Sequence, residues 1–276
     1  MRCCRWRGDS AKGIGPTFRA AGTPWKKRSN DETSQADETI ANGSLSSNSA
    51  EGLGIDALLP GDILLYRPIF PNLSQRAISA ATGSPYTHAA IFIGDGMIAE
   101  SMPPRGVRST EVSKSLGKSY VAVFRSQMGF GNNRVSELRD FVDDVVGKRK
   151  FYNAIAAAKV PSRSKAYVEN SLEFIRENYG KTTSRDEYSE LSFFCSAFVV
   201  ACLAVVGIIG PSAQVAYEPD NFAPGHLNQD PTFGWLLGFL LPANSSVPED
   251  DPILTGSTHW GDIDEARWWD GASTSS

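Results

Sequence analysis

The sequence predicts an α+β fold in which an antiparallel sheet packs on a central cysteine-bearing helix. Three observations lead there. Strand-like segments crowd the first half of the folded region and helix-like segments the second, without the β–α alternation that builds a parallel sheet. Two apolar strands flank Gly94–Asp95–Gly96, a spacing that calls for a hairpin. One stretch, Phe193 to Ile209, is almost wholly apolar and rich in small residues, as in a helix buried on every side.

Taken in order, PGDILLYR (Pro60 to Arg67) is a strand entered through a turn. LSQRAISAATG suits a short helix closed by Gly83. His88 to Ile93 and Met97 to Ser101 are the hairpin strands, and GVRSTEV and YVAVFRS are further strands. Val135, Leu138, Phe141, Val142, Val145 and Val146 recur at helical spacing, which predicts an amphipathic helix over about 134–147. Ser164 to Tyr179 is another helix, stopped by Gly180. The cysteine helix follows, with Ser192 as its expected N-cap.

Composition divides the chain into a domain at about 56–242 and two tails. Residues 1–55 are polar and basic and cannot bury enough surface to offset their ordering entropy, so they read as disordered. Residues 243–276 form an acidic tail ending in the aromatic-acidic cluster THWGDIDEARWWD. Both tails are candidate contacts for a protein partner. Within the domain, about 127–190 reads as a helical insertion.

Several function classes drop out. A net charge of −4 gives no electrostatic footprint for nucleic acid. The four cysteines form neither a disulfide framework nor a CxxC pair, so reduced thiols are expected. The first residues lack the apolar core of a secretory signal. A cytoplasmic protein, or an effector exported without such a signal, is therefore expected; Cys3 and Cys4 in the basic tail are candidate acylation sites. The apolar stretch at Phe193 falls short of the roughly 20 residues that cross a bilayer, so no stable membrane span is expected. No cofactor fingerprint and no metal-ligand spacing is present.

The chemistry concentrates in three residues. Within the hairpin, a two-residue turn at Asp95–Gly96 would place Glu100 opposite Ile91, away from the face of His88. A three-residue loop pairs Ile93 with Met97, sets Ala90 opposite Glu100, and makes His88 a diagonal neighbour about 7–8 Å away at the backbone. That register joins a carboxylate to an imidazole. Cys195 opens the apolar helix, where free N–H groups and the helix dipole favour a thiolate and could stabilise an oxyanion. Cys202, seven residues on, reads as an inert small hydrophobe. His226 reads as a surface-loop histidine, and His259 lies in the acidic tail.

The ordered set PGDILLYR, SPYTHAAIFIGDGMIAES, GVR and FFCSAFV resembles the permuted NlpC/P60 superfamily, especially its YiiX-like branch, over about residues 58–242. The resemblance implies a papain-like fold with the chain order permuted, histidine ahead of cysteine. It implies a thiol hydrolase in which Cys195 forms an acyl-enzyme, His88 moves the proton and Glu100 orients the imidazole. The Cys195 amide would contribute to an oxyanion hole, with Tyr86, Thr87 and Ser196 as further oxyanion or substrate contacts. The substrate would be a peptide or another acyl compound, cell-wall peptides being frequent substrates in the family. The related lecithin–retinol acyltransferase branch carries Asn-Cys-Glu-His-Phe where this chain has Phe194–Cys195–Ser196–Ala197–Phe198. Lipid acyl transfer on the same thioester is thus the second expectation, and a silent binding module the third.

Overall fold

The structure is a computed structural model that describes residues 52–257. Of the segment 1–55 expected to be disordered, residues 1–51, with Cys3 and Cys4, lie outside the described residues, as does the aromatic-acidic cluster from Thr258 onward. The last part of that segment is instead ordered, with Gly52 bridging Phe239 and the Leu53 N–H donating to the Phe239 carbonyl.

In chain order the elements are β1 (Ile63–Pro68), α1 (Leu73–Thr82), β2 (His88–Gly94), β3 (Met97–Met102), β4 (Gly106–Glu111), α2 (Val112–Leu116), β5 (Ser119–Arg125), α3 (Asn132–Lys148), α4 (Ala154–Asn178), α5 (Arg185–Ser189), α6 (Cys195–Val205), β6 (Trp235–Leu240) and α7 (Pro252–Gly256). The class is α+β. One open antiparallel sheet of six strands runs β4-β3-β2-β1-β5-β6.

Strand alternation divides the core between the two faces of the sheet. Ile63, Leu65, Ala89, Ile91, Ala99 and Phe124 join the side chains of α3 and α6 in the larger cluster. Leu64, Tyr66, Ala90, Phe92, Ile98 and Val123 form a smaller one beneath Leu58, Val112 and Leu240. Helix α6 is buried from Cys195 through Ala204 and packs on β2 and β3. It shows no polar face because the sheet, α3 and the chain after it cover every side. Burying each large apolar side chain there contributes about 1.5–3 kcal/mol.

Four further expectations are adjusted by the structure. The hairpin turn has two residues, Asp95 and Gly96, both at positive φ (54° and 70°), and Gly94 pairs with Met97. Yet Ala90 still lies opposite Glu100, because a bulge at Ile93 adds one residue to β2 between Phe92 and Gly94. The turn differs from the one expected; the register that matters is the same. Helix α4 begins at Ala154 rather than at 164, because Asn153 caps it by accepting from the Ala156 N–H at 3.0 Å, and it carries Pro161 inside. The stretch 127–190 is only partly an accessory, since α3 buries Leu138, Phe141, Val142 and Val145 in the core. The domain also extends beyond residue 242: Val247, Asp251 and Ile253 are buried, and Asp251 accepts from Arg67 and from the Tyr86 hydroxyl. A carboxylate with two such partners can be buried without an unpaired charge, which the acidic composition of this stretch concealed.

Candidate active site

Helix α6 starts at Cys195, and its N-cap is Phe194, extended and without a side-chain cap; Ser192 does not cap it. The reason lies just upstream. The Phe193 carbonyl accepts from Ser101 Oγ at 2.8 Å and from the Asn153 N–H at 3.1 Å, while the Ser192 carbonyl accepts from Asn153 Nδ2 at 3.2 Å. Held by β3 and by the cap of α4, residues 192–194 are anchored away from helical bonding until Cys195. An uncapped start leaves the first N–H groups of α6 free for another acceptor.

The pairing of β2 with β3 ends at Ala90 and Glu100, one residue short of Ala89. The freed Ala89 N–H and the N–H of Ser196 lie close enough to the Cys195 sulfur to lower the thiol. The thiol thus sits where the two strands part, and there it lies close enough to the imidazole of His88 for each group to shift the other. On its other side His88 Nε2 lies 2.7 Å from Glu100 Oε2. The bond to Glu100 leaves Nδ1 for the sulfur. Glu100 is 3% exposed at its side chain and His88 16%. The second oxygen of Glu100, Oε1, accepts from Arg108 Nε at 2.9 Å and Nη2 at 2.7 Å. The ring of Tyr66 lies 5.2 Å from that of His88, and its hydroxyl is engaged with Ser115 Oγ at 2.8 Å.

Electrostatics follows from these contacts. Burial pushes the Cys195 thiol up, but the His88 hydrogen bond and charge and the two backbone N–H groups outweigh it, so the thiol lies below its ordinary value. Burial pushes His88 down, and the hydrogen bonds and charges of Cys195 and Glu100 outweigh it, raising the imidazole from 6.5 to about 9. Burial pushes Glu100 up, and His88 and Arg108 hold it below the usual carboxylate range. The arrangement favours a thiolate beside an imidazolium beside a carboxylate, a set of groups able to deliver a nucleophile and then a proton.

Cys195, His88 and Glu100 are therefore brought together. The other three candidates are placed differently. Tyr86 is fully buried and its hydroxyl donates to Asp251 Oδ1 at 3.0 Å, so it is not free to contact substrate. The Ser196 hydroxyl donates to the Phe222 carbonyl at 2.7 Å, so only its backbone faces the sulfur. The Thr87 hydroxyl is buried and has no hydrogen-bond partner among the described residues, which leaves it a donor without an acceptor. His226 sits away from this constellation, half-buried, with Nδ1 accepting from the Ala223 N–H at 3.2 Å and 3.1 Å from Ser164 Oγ. Among the described residues no cluster of His, Cys, Asp and Glu is grouped to hold a metal, and no helix is long and apolar enough to cross a membrane.

Sequence reading passed over Arg108, Tyr152, Asn153 and Ser101. Arg108 could have been found by counting: a turn over residues 103–105 pairs Met102 with Gly106 and so Glu100 with Arg108. Tyr152, which burial and the nearby Cys195 charge push well above its ordinary value, and Asn153 come from a segment distant in the chain, where no periodicity points to the site. The chain matches no protein-family model. No curated protein matches it either.

Proposed function

We propose that the protein is a cysteine hydrolase that cleaves an amide or peptide bond through a Cys195 acyl-enzyme. The observation that supports the reading is the position of His88, beside the Cys195 thiol and hydrogen-bonded to Glu100 at 2.7 Å. The Cys195 thiolate attacks the acyl carbon and forms a thioester. The His88 imidazolium gives its proton to the departing amine, and the C–N bond breaks. Neutral His88 then takes a proton from water, the resulting hydroxide attacks the thioester, and the C–S bond breaks to release a carboxylic acid and restore the Cys195 thiolate beside the His88 imidazolium. Glu100 keeps the imidazole in the orientation and tautomer that both steps require. The open N–H groups of α6 are positioned for the oxyanion. A cysteine helix laid against β2 and β3 of an antiparallel sheet, with histidine earlier in the chain, also fits the permuted NlpC/P60 arrangement that the sequence resembles.

The test is incubation with peptidoglycan fragments and, in parallel, with short-chain acyl esters and phospholipids, followed by mass spectrometry of the Cys195 peptide. Release of new amines with an acyl mass on Cys195 is the expected result. Free fatty acid in place of amine assigns the same site to lipid esters. Turnover that survives His88→Ala sinks the mechanism.

A further inference from the structure

We propose that Arg108 is a positioning residue for this site: by directing two donors at one oxygen of Glu100, it turns the other oxygen to His88. The inference rests on reading Cys195, His88 and Glu100 as a thiol site.

The geometry is built by strand register. Arg108 on β4 lies directly opposite Glu100 on β3, and the strands bring the two side chains together on one face. Nε and Nη2 of Arg108 both reach Oε1, at 2.9 and 2.7 Å, and Oε2 lies 2.7 Å from His88. Each oxygen therefore has a separate task. A glutamate reaches its carboxylate through three soft torsions, and a single hydrogen bond to His88 would leave the carboxylate plane free to turn. Two donors from a rigid fork remove that freedom; a lysine, as a point charge, would not. Arg108 is half-exposed at 52% whereas Glu100 is 3% exposed, so the cation keeps contact with water while it partners a buried anion.

The groups around this pair do not replace it. Tyr66 from β1 faces Glu100 closely enough to feel its charge, but its hydroxyl bonds Ser115. Cys195 at the start of α6 lies close to His88, and Tyr152, ahead of α4, lies beside Cys195. His88 and Arg108 are the side-chain partners of Glu100 among the described residues.

Positioning and simple charge neutralisation make opposite predictions. If Arg108 only offset the charge of Glu100, its removal would strengthen the field on His88 and raise the imidazole further. If it aims the carboxylate, its removal loosens the His88 hydrogen bond and the imidazole falls. The chain has three histidines, so the ring Cε1–H signals are resolvable by NMR and assignable with His88→Gln. In the full chain, His88 should titrate near 9. In Arg108→Gln the midpoint should fall by about one unit or more toward 6.5, and in Arg108→Lys by an intermediate amount. Glu100→Gln should lower it as well, and the double variant no further than Glu100→Gln alone. The His226 midpoint should stay fixed throughout, which confirms folding. The rate of Cys195 alkylation at pH 6 should fall in the same order. A His88 midpoint that is unchanged or higher in Arg108→Gln, or a wild-type midpoint retained by Arg108→Lys, overturns the inference while leaving the thiol site standing. A wild-type midpoint near 6.5 removes the thiol-site reading itself, and the inference with it.

Discussion

Cys195 and Cys202 lie on the same helix, seven residues and thus about 10 Å apart along its axis, on nearly the same side. Both are buried, at 6% and 0% exposure. Burial alone would make both inert, and at Cys202 it does: the thiol is driven well above its ordinary value. At Cys195 the same burial is reversed by a histidine and two backbone N–H groups, and the thiol falls below its ordinary value. The difference lies at the helix end. Only there are N–H groups left without carbonyl partners, and only there does the parting of β2 from β3 admit an imidazole. A thiol's character is set by what the fold places around it, not by how deep it lies.

The comparison is broken most directly by truncating each member of the pair. Cys195→Ala and His88→Ala should each lower turnover by about 10³-fold or more, measured on whichever substrate class releases product, whereas Cys202→Ala should change it by less than about 2-fold. Comparable losses from the two cysteine variants would mean that α6 acts as a packing element alone. A smaller contrast is expected in reactivity. With iodoacetamide at pH 6, the Cys195 peptide should label about 100-fold faster than the Cys202 peptide, and the two should label alike after denaturation. Equal slow labelling in the folded protein would leave no ion pair to explain.

Much of this contrast was legible in the sequence, because its causes are local. The apolar run after Phe193 marks α6, and a cysteine at its head is visible by position. The strand spacing from His88 to Glu100 also survives, though for a different reason: the turn is one residue shorter than expected, and the bulge at Ile93 restores the register. A bulge carries no composition signal of its own, so two errors in the local description cancel. What could not be read is everything that reaches the site across the fold. Tyr86 was a reasonable donor by its place before His88, but Asp251, 165 residues on, claims its hydroxyl. Asn153, the cap of α4, and Ser101 on β3 fix the Phe193 carbonyl, and neither belongs to a motif.

The pH dependence sharpens the comparison further, since it belongs to Cys195 and not to Cys202. His88 is raised from 6.5 to about 9 by the pair it forms, so its imidazolium should persist through neutrality and kcat/KM should decline on the alkaline side near pH 9. Stability linkage has the same sign. A group that holds its proton more tightly folded than unfolded contributes fully below its unfolded value of about 6.5, and the contribution drains as pH rises toward 9. In wild type the Cys195 thiol, lowered in the fold but protonated in the unfolded chain up to about 9, offsets this loss, so Cys195→Ala should lose more stability than wild type between pH 6.5 and 9. Urea unfolding at pH 6.5 and 9 for the two proteins measures the difference, and an unchanged loss would assign it to another group.

The smallest effect expected is the one that separates the two positions by packing alone. Serine is smaller than cysteine and needs a hydrogen-bond partner. Cys202 lies fully buried in the apolar core, and the carbonyl of Phe198, one turn back, is the helix's own acceptor. Cys202→Ser should therefore cost about 1–3 kcal/mol of unfolding free energy. At position 195 the hydroxyl meets free N–H groups at a helix start, a setting that serine tolerates well, so Cys195→Ser should cost about 1 kcal/mol or less while still removing the nucleophile. The two serine variants thus invert the order set by activity: the harmless one for turnover is the costly one for the fold. Equal costs at the two positions would place Cys195 in the same closed core as Cys202 and take away the open helix end on which its chemistry depends.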